Sequence, residues 1–287
     1  MISIVGIGNG ASAIAEKFGE ISQYDVYLLN NSIKRKTSRK FKLKAFEDPE
    51  EYENNIPDLS NFFKDLKDHV QVFIIGSSYS SNYSLGILQQ IKEKKIEVFY
   101  IKPDIGLLTG VPRTMENITF GVLQEYARSG LFQSITVFSN QEIEKILGNV
   151  PIKKYYDIIN DSIFSSVHYL NYFAHTEPEI GQVARPAVMN RIRSIGVLDT
   201  KNLEENWLFK LDVQRDLCYY LCINEERLAQ EGTLHRKIVD ALKKKPSNAF
   251  RKISYAIYET PHNDFGYVVA HTNTIQQQKT LDKLEQE

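Results

Sequence analysis

A chain of 287 residues and 33.1 kDa is long enough to bury a large core, as one big domain or two moderate ones. Its hydrophobic content of 42% and formal net charge of -1 exclude a disordered chain and any global attraction to nucleic acid or an anionic membrane surface. No uninterrupted apolar run is long enough to span a bilayer, and "MISIVGIG" enters a strand without a basic leader, so the expectation is a soluble, cytoplasmic protein.

The first half alternates strand and helix. "ISIVGI" predicts a buried strand, "ASAIAEKFGEI" a helix with apolar residues at helical spacing, and "YDVYLLN" a second strand. After a polar stretch the pattern predicts a short helix, "LSNFFKDLK", then the strand "VQVFIIG" and the helix "YSLGILQQIKEKK". The strand "IEVFYIK", the helix "RTMENITFGVLQEYARSG" and the strand "SITVFSN" follow. Strands apolar throughout and alternating with helices indicate a parallel, Rossmann-like sheet covered on both faces.

A long helix is predicted over about 153–173, with Tyr156, Ile159, Ile163, Val167 and Leu170 on its apolar face. Beyond "AHTEPEIGQVARP" the pattern changes to a helix over 187–195, strands around "WLFKLDV" and "LCYYLCI", the helix "LHRKIVDALKKK" and two final strands. The fold class expected is therefore α/β with a smaller α+β unit at the C-terminus. Its predicted parts are residues 1–152, a nucleotide-binding-like domain; 153–175, a central connecting helix; 176–272, the α+β domain; and 273–287, a polar tail that frays or docks on a partner. Cys218 and Cys222 stand four apart on a strand and face the core together. The histidines show no metal-ligand spacing, and no metal site is expected.

Two strand–turn–helix junctions are candidate anion sites. "GIGNGAS" brings Gly6, Gly8, Asn9 and Gly10 to the start of the first helix, where glycines allow close backbone approach and free N–H groups face an anion; a tight structural turn explains the same residues. In "IIGSSYSSNYS" the hydroxyls of Ser78, Ser80 and Ser81 can donate to phosphate, and Asn82 tolerates a left-handed backbone. The run "KRKTSRKFKLK" holds seven Lys/Arg in eleven residues; the acidic stretch after it and the lack of interleaved aromatics favour a solvated arm over a nucleic-acid surface.

In order, "GIGNGAS", Asn30–Asn31–Ser32 at the end of the second strand, the serine-rich turn, Lys102–Pro103, Thr109–Gly110 with Arg113, "ITVFSN" and the long helix resemble the tubulin/FtsZ superfamily, nearest to FtsZ and the small phage tubulins. The short length fits a phage- or plasmid-encoded member. The resemblance covers nearly the whole chain and implies GTP or GDP as ligand, Asn160 on the central helix against the guanine base, and Asn30 and Arg113 beside the nucleotide. It also implies head-to-tail self-association into cytoskeletal filaments.

Three departures accompany it. The family's glycine-rich phosphate loop reads "SYSSNY" here, with Tyr79 and Tyr83 where the family leaves bare backbone. The acids Glu47, Asp48, Glu50, Glu51 and Glu53 repel a triphosphate unless turned to solvent. Gly181 and Ala184 stand where the family has its water-orienting acids, leaving Glu177 and Glu179, shifted in register, as the remaining catalytic candidates. The expected function is a filament-forming or scaffolding protein with GTP binding and hydrolysis weakened or lost. A working GTPase and a non-assembling adaptor are the alternatives.

Overall fold

The computed structural model describes residues 1–246 and 250–277, so the predicted polar tail is described only as far as residue 277. The first half contains β1 (Ile2–Ile7), α1 (Asn9–Lys17), β2 (Tyr24–Asn30), β3 (Lys40–Lys42), α2 (Pro49–Asn54), β4 (His69–Ile75), α3 (Ser84–Gln90), β5 (Lys95–Lys102), α4 (Gly110–Arg128), β6 (Ser134–Ser139), α5 (Asn140–Leu147) and α6 (Tyr155–Phe173). The second half contains β7 (Ile180–Gln182), β8 (Ile192–Leu198), β9 (Glu205–Trp207), β10 (Asp216–Asn224), α7 (Glu225–Gln230), α8 (Leu234–Lys243), β11 (Lys252–Thr260) and β12 (Phe265–Thr272).

All six residues of β1 are buried, which requires cover on both sides. Successive side chains point to opposite faces, so the apolar strands feed two cores. Ile4, Phe73, Phe99 and Phe138 meet α1, α5 and α6 on one face, where Phe73 and Phe99 stack 5.0 Å apart. Val5, Val72, Val98 and Tyr100 meet α3 and α4 on the other, in a core that continues through Leu221 and Ile223 to α8.

The described strands form one sheet of twelve, in the order β3-β2-β1-β4-β5-β6-β8-β12-β10-β11-β7, with β9 on β8. It is parallel from β3 through β8, and β12 turns antiparallel between β8 and β10. The carboxyl ends of β1, β2, β4, β5 and β6 therefore open at one end of the sheet, here called the upper end. Helix α6 starts there and descends: Tyr155 Oη donates to Glu144 near its start, while Asn171 near its end bonds Gln71 and the Tyr24 hydroxyl at the amino ends of β4 and β2. Among the described residues no helix is long and apolar enough to cross a membrane.

Three sequence expectations are corrected. Residues 187–195 are not a helix, because Ile192 and Ile195 pair into β8 and Asp216 Oδ2 accepts the Ala187 N–H and the Asn190 amide, fixing the chain as a turn before the strand. "LSNFFKDLK" is a chain of turns, in which the Gln90 side chain bonds Leu59 N and Pro57 O in place of a helical ladder. In "WLFKLDV" only Trp207 belongs to a strand. The basic run becomes part of a sheet edge: β3 places Lys40 and Lys42 on the outermost strand, which discourages pairing with a foreign strand. Lys36 and Lys44 lie over the Phe41 and Phe46 rings, and Arg39 pairs with Asp25.

Candidate functional site

At the upper end of β1 the chain turns through Gly8, whose φ of 97° lies in the region that favours glycine, and enters α1 without a side-chain cap. Gly6 permits the helix to sit on the strand, since a Cβ there would lie 2.8 Å from Ala11 O and Ser12 Cα. Asn30 is buried at the end of β2; its amide donates to Ser12 Oγ at 2.8 Å and its Oδ1 accepts the Ser32 N–H. This residue therefore joins β2 to the first turn of α1. Asn9 and Gly10 are exposed at the helix start.

The turn after β4 satisfies much of its own hydrogen bonding. Ser78 Oγ donates to Ile75 O at 2.9 Å and accepts the Ser81 N–H, while Ser81 Oγ donates to Ser78 O at 2.6 Å. Residues Tyr79–Tyr83 form a 3-10 turn that runs into α3. Ser77, not Asn82, takes the left-handed conformation, at φ 54°, because Asn82 lies within that turn. The turn packs on the first glycine loop: a Cβ on Gly8 would lie 3.2 Å from Ser80 Cβ and 3.6 Å from the Ser78 and Ser80 hydroxyls. The two tyrosines part company. Tyr83 is buried against Tyr52 and donates to Lys44 O, whereas Tyr79 is 67% exposed.

Sequence reading missed a buried ionic cluster beneath this turn. Glu116, on α4, is fully buried; its Oε2 accepts the Tyr100 hydroxyl at 2.6 Å, and the Ser77 N–H lies close enough to favour the charged carboxylate. Gly76 leaves room for it, since a Cβ there would stand 2.0 Å from Glu116 Oε2 and 2.3 Å from Tyr100 Oη. Burial raises the Glu116 pKa, against the opposing effects of the Tyr100 hydrogen bond, Lys102 and the Ser77 amide. Burial likewise pushes the Lys102 ammonium down to about 8, with Glu116 opposing, and its Nζ lies 4.2 Å from the Phe120 ring centroid. The helical stretch that contains Glu116 reads as amphipathic, but nothing in its spacing says where an inward carboxylate finds its partners.

The other candidates are dispersed. Arg113 is half-buried on the first turn of α4, and Asn160 is buried on the second turn of α6, next to the Lys17–Asp161 ion pair of 2.7 Å that joins α6 to α1. Tyr156, expected on the apolar face of α6, is exposed. Glu47, Asp48, Glu50, Glu51 and Glu53 all face solvent, where Asp48 caps α2. The segment after α6 pairs with the outer edge of the sheet as β7: Glu179 N donates to Ile257 O at 2.7 Å, and Glu177 lies close enough to Tyr258 to add to the rise in its pKa, behind burial and Cys222.

Gly181 is fixed by this pairing. Its φ is 80°, and a Cβ would meet Tyr255 O at 2.6 Å. Restoring an acid by Gly181→Asp is therefore expected to cost about 1–3 kcal/mol through backbone strain and to add no phosphate release. Urea midpoints and a phosphate assay with GTP and magnesium check both parts; a stable variant that hydrolyses GTP would overturn them.

No protein-family model matches the sequence, and no curated protein matches it. Solved structures do. CetZ from Methanosaeta thermophila is 12% identical, with a TM-score of 0.64 over 95% of this chain and 86% of its own. The GTPγS-form protofilament of TubZ from Bacillus thuringiensis serovar israelensis is 10% identical, with a TM-score of 0.67 over 96% and 87%. An empty FtsZ dimer from M. jannaschii is 13% identical, with a TM-score of 0.64 over 94% and 87%. The fold is the tubulin/FtsZ fold. The likeness includes both halves, so the tubulin/FtsZ order of elements holds across β7 and the strands that follow it. At this identity it is a likeness of fold, and the residues at the upper end must be judged on their own chemistry.

Proposed function

We propose that this chain is a filament-forming or scaffolding protein of the tubulin/FtsZ type whose GTP site is weakened or lost. The observation that carries assembly is the exposure of large apolar side chains at opposite ends of the sheet. Tyr79, Leu107, Val111 and Tyr156 are exposed at the upper end, and Val188 and Met189 are exposed just before the amino end of β8, at the lower end. Large apolar side chains facing solvent in clusters mark interaction sites. A contact between unlike ends repeats without closing and builds an open filament. FtsZ and TubZ are seen as a dimer and as protofilaments, which supports the same reading here.

The nucleotide part of the proposal rests on the self-bonded turn. GTP or GDP in this fold would lie among Gly6, Gly8, Asn9, Gly10, Asn30, Ser78, Ser80, Ser81, Asn82, Arg113 and Asn160. Ser78 and Ser81 already donate to the chain's own carbonyls, Asn30 is committed to Ser12, and Ser80 packs against Gly8. These residues do not fit a phosphate group without a shift of the turn. A retained nucleotide is the second reading, favoured by the uncapped start of α1.

Two measurements test the proposal. Sedimentation over a concentration series is expected to show polymer without added GTP. Leu107→Glu at the upper end or Val188→Glu at the lower is expected to abolish that polymer at unchanged melting temperature, since each buries a charge in the contact. Extracted nucleotide after gentle purification is expected to be well below one per chain. A strict monomer at every concentration sinks the assembly reading, and stoichiometric GTP or GDP sinks the weakened site.

A further inference from the structure

Phosphate loops work by offering backbone N–H groups to an outside anion, and a left-handed residue within a turn helps to gather those groups into a nest. In this chain the nest after β4 is built around Ser77, a non-glycine held at φ 54°. A side chain in that conformation costs about 1 kcal/mol or more unless the surroundings select it. Here a carboxylate of the same chain, that of Glu116, lies against the turn: its Oε2 stands 2.0 Å from where a Cβ on Gly76 would be, and the neighbouring Ser77 N–H is close enough to favour its charged form. We propose that Glu116 is the specificity-determining residue of the upper-end site, an internal anion that holds the turn in its closed shape and sets it against phosphate. This inference rests on the reading of a weakened nucleotide site and names the group that weakens it.

Two elements, the turn and β5, converge on the carboxylate. From the turn come the Ser77 N–H and Gly76, whose missing side chain is the space Glu116 occupies: a Cβ would lie 2.0 Å from Oε2. From β5 comes the Tyr100 hydroxyl, donating at 2.6 Å, with its ring stacked on Phe120 at 5.1 Å. Also from β5 comes Lys102, whose buried Nζ has no hydrogen-bond partner among the described residues and which acts on Glu116 through charge alone. Glu116 Oε1 is also buried without a hydrogen-bond partner. A merely structural ion pair would close Lys102 directly onto Glu116. Instead the ammonium lies 4.2 Å from the Phe120 ring centroid, while the carboxylate oxygen that accepts from Tyr100 also fills the space beside Gly76 in the turn. A phosphate approaching the same N–H groups meets a buried negative charge that water cannot screen.

The test uses the full chain and two variants. Glu116→Gln removes the charge and keeps the shape; Tyr100→Phe removes one donor and leaves the charge. Hydrogen exchange read by mass spectrometry over residues 76–83 is expected to quicken about tenfold or more in Glu116→Gln, the scale of losing one charge-assisted contact to the turn, and less in Tyr100→Phe. Peptides from β1 and α6 are expected to exchange as in the parent protein. Binding of inorganic pyrophosphate, followed by calorimetry, is expected to tighten about tenfold in Glu116→Gln. Unchanged exchange over 76–83 in both variants overturns the inference, whatever the parent protein binds. Quickened exchange with no gain in pyrophosphate affinity overturns the claim that Glu116 sets the site against phosphate. Stoichiometric nucleotide in the parent protein defeats the weakened-site reading, while quickened exchange in the variants would still assign control of the turn to Glu116.

Discussion

Replacing Arg193 with methionine is expected to cost about 2–4 kcal/mol of folding stability, somewhat below the scale of removing one partner from a fully buried ion pair, because both side chains keep about a sixth of their surface exposed. Its partner is Glu97, whose carboxylate accepts from Arg193 Nη2 at 3.1 Å, His69 Nε2 at 2.8 Å and Gln71 Nε2 at 2.9 Å. Burial alone would raise the Glu97 pKa. Arg193, His69 and Gln71 together outweigh it and hold the carboxyl well below the usual range. The loss should therefore be present at neutral pH and shrink only as acid protonates Glu97. Urea unfolding at pH 7 measures it, and a loss under about 1 kcal/mol would mean that the pair behaves as a solvated surface bridge. Adding Glu97→Gln to Arg193→Met is expected to recover part of the stability, because a neutral amide needs no cation. A double variant no more stable than the single one would count against the charge argument.

The position of this pair gives it a wider role than one ion pair. Glu97 lies on β5 and Arg193 on β8, and the strand between them, β6, contributes Thr136, which accepts from Arg193 Nε at 2.9 Å. The network continues from Gln71 to Asn171, and from Asn171 to the Tyr24 hydroxyl beside His168, so it also fixes the lower part of α6. The joint thus ties β4, β5, β6 and β8 to one another and to α6 across the change from the first half of the sheet to the second.

What the sequence revealed and what it hid follow from the range of the interactions. Parallel strands such as β1 and β4 are largely apolar because helices cover both faces, and that signal is local, so the parallel sheet and the fold resemblance were legible, whereas the order of strands in the sheet was not. The segment 187–195 was not, since Asp216, about thirty residues away in sequence, fixes its start and β6 and β12 draw its end into the sheet. In the site, positions could be read but commitments could not. The hydroxyls of Ser78 and Ser81 look the same in a sequence whether they face a phosphate or their own backbone. Tyr79 and Tyr83 differ by four positions and have opposite fates because only Tyr83 finds Tyr52 and Lys44 O. Glu116 was invisible as a site residue, because its partners Ser77, Tyr100 and Lys102 come from two other elements.

Between pH 7 and pH 5 the protein is expected to lose about 2 kcal/mol of stability through one residue, His271. The imidazole is buried on β12, beside Arg193 and Asp216. Burial pushes its pKa from 6.5 down to about 3, and Arg193 acts in the same direction against Asp216, the Asn190 carbonyl and Glu97. In the folded state the ring is therefore neutral over most of the acid range, while in the unfolded chain it takes a proton near 6.5. The unfolded state binds the extra proton between those values, so stability is complete above 6.5 and falls by about 1.4 kcal/mol per pH unit on acidification toward 3. His168, whose pKa is lowered by burial, adds to the same trend, whereas Glu97 contributes only at lower pH, where carboxylates protonate. His271→Asn keeps a donor for the Asn190 carbonyl and removes the titration. At pH 7 the variant is expected to lose about 1–2 kcal/mol for the poorer fit, and at pH 5 to equal or exceed the parent protein. Urea midpoints at pH 7, 6 and 5 give the two slopes. Parallel slopes would mean that the His271 ring charges within the folded protein, and a ring NMR titration with a midpoint near 6 would show the same directly.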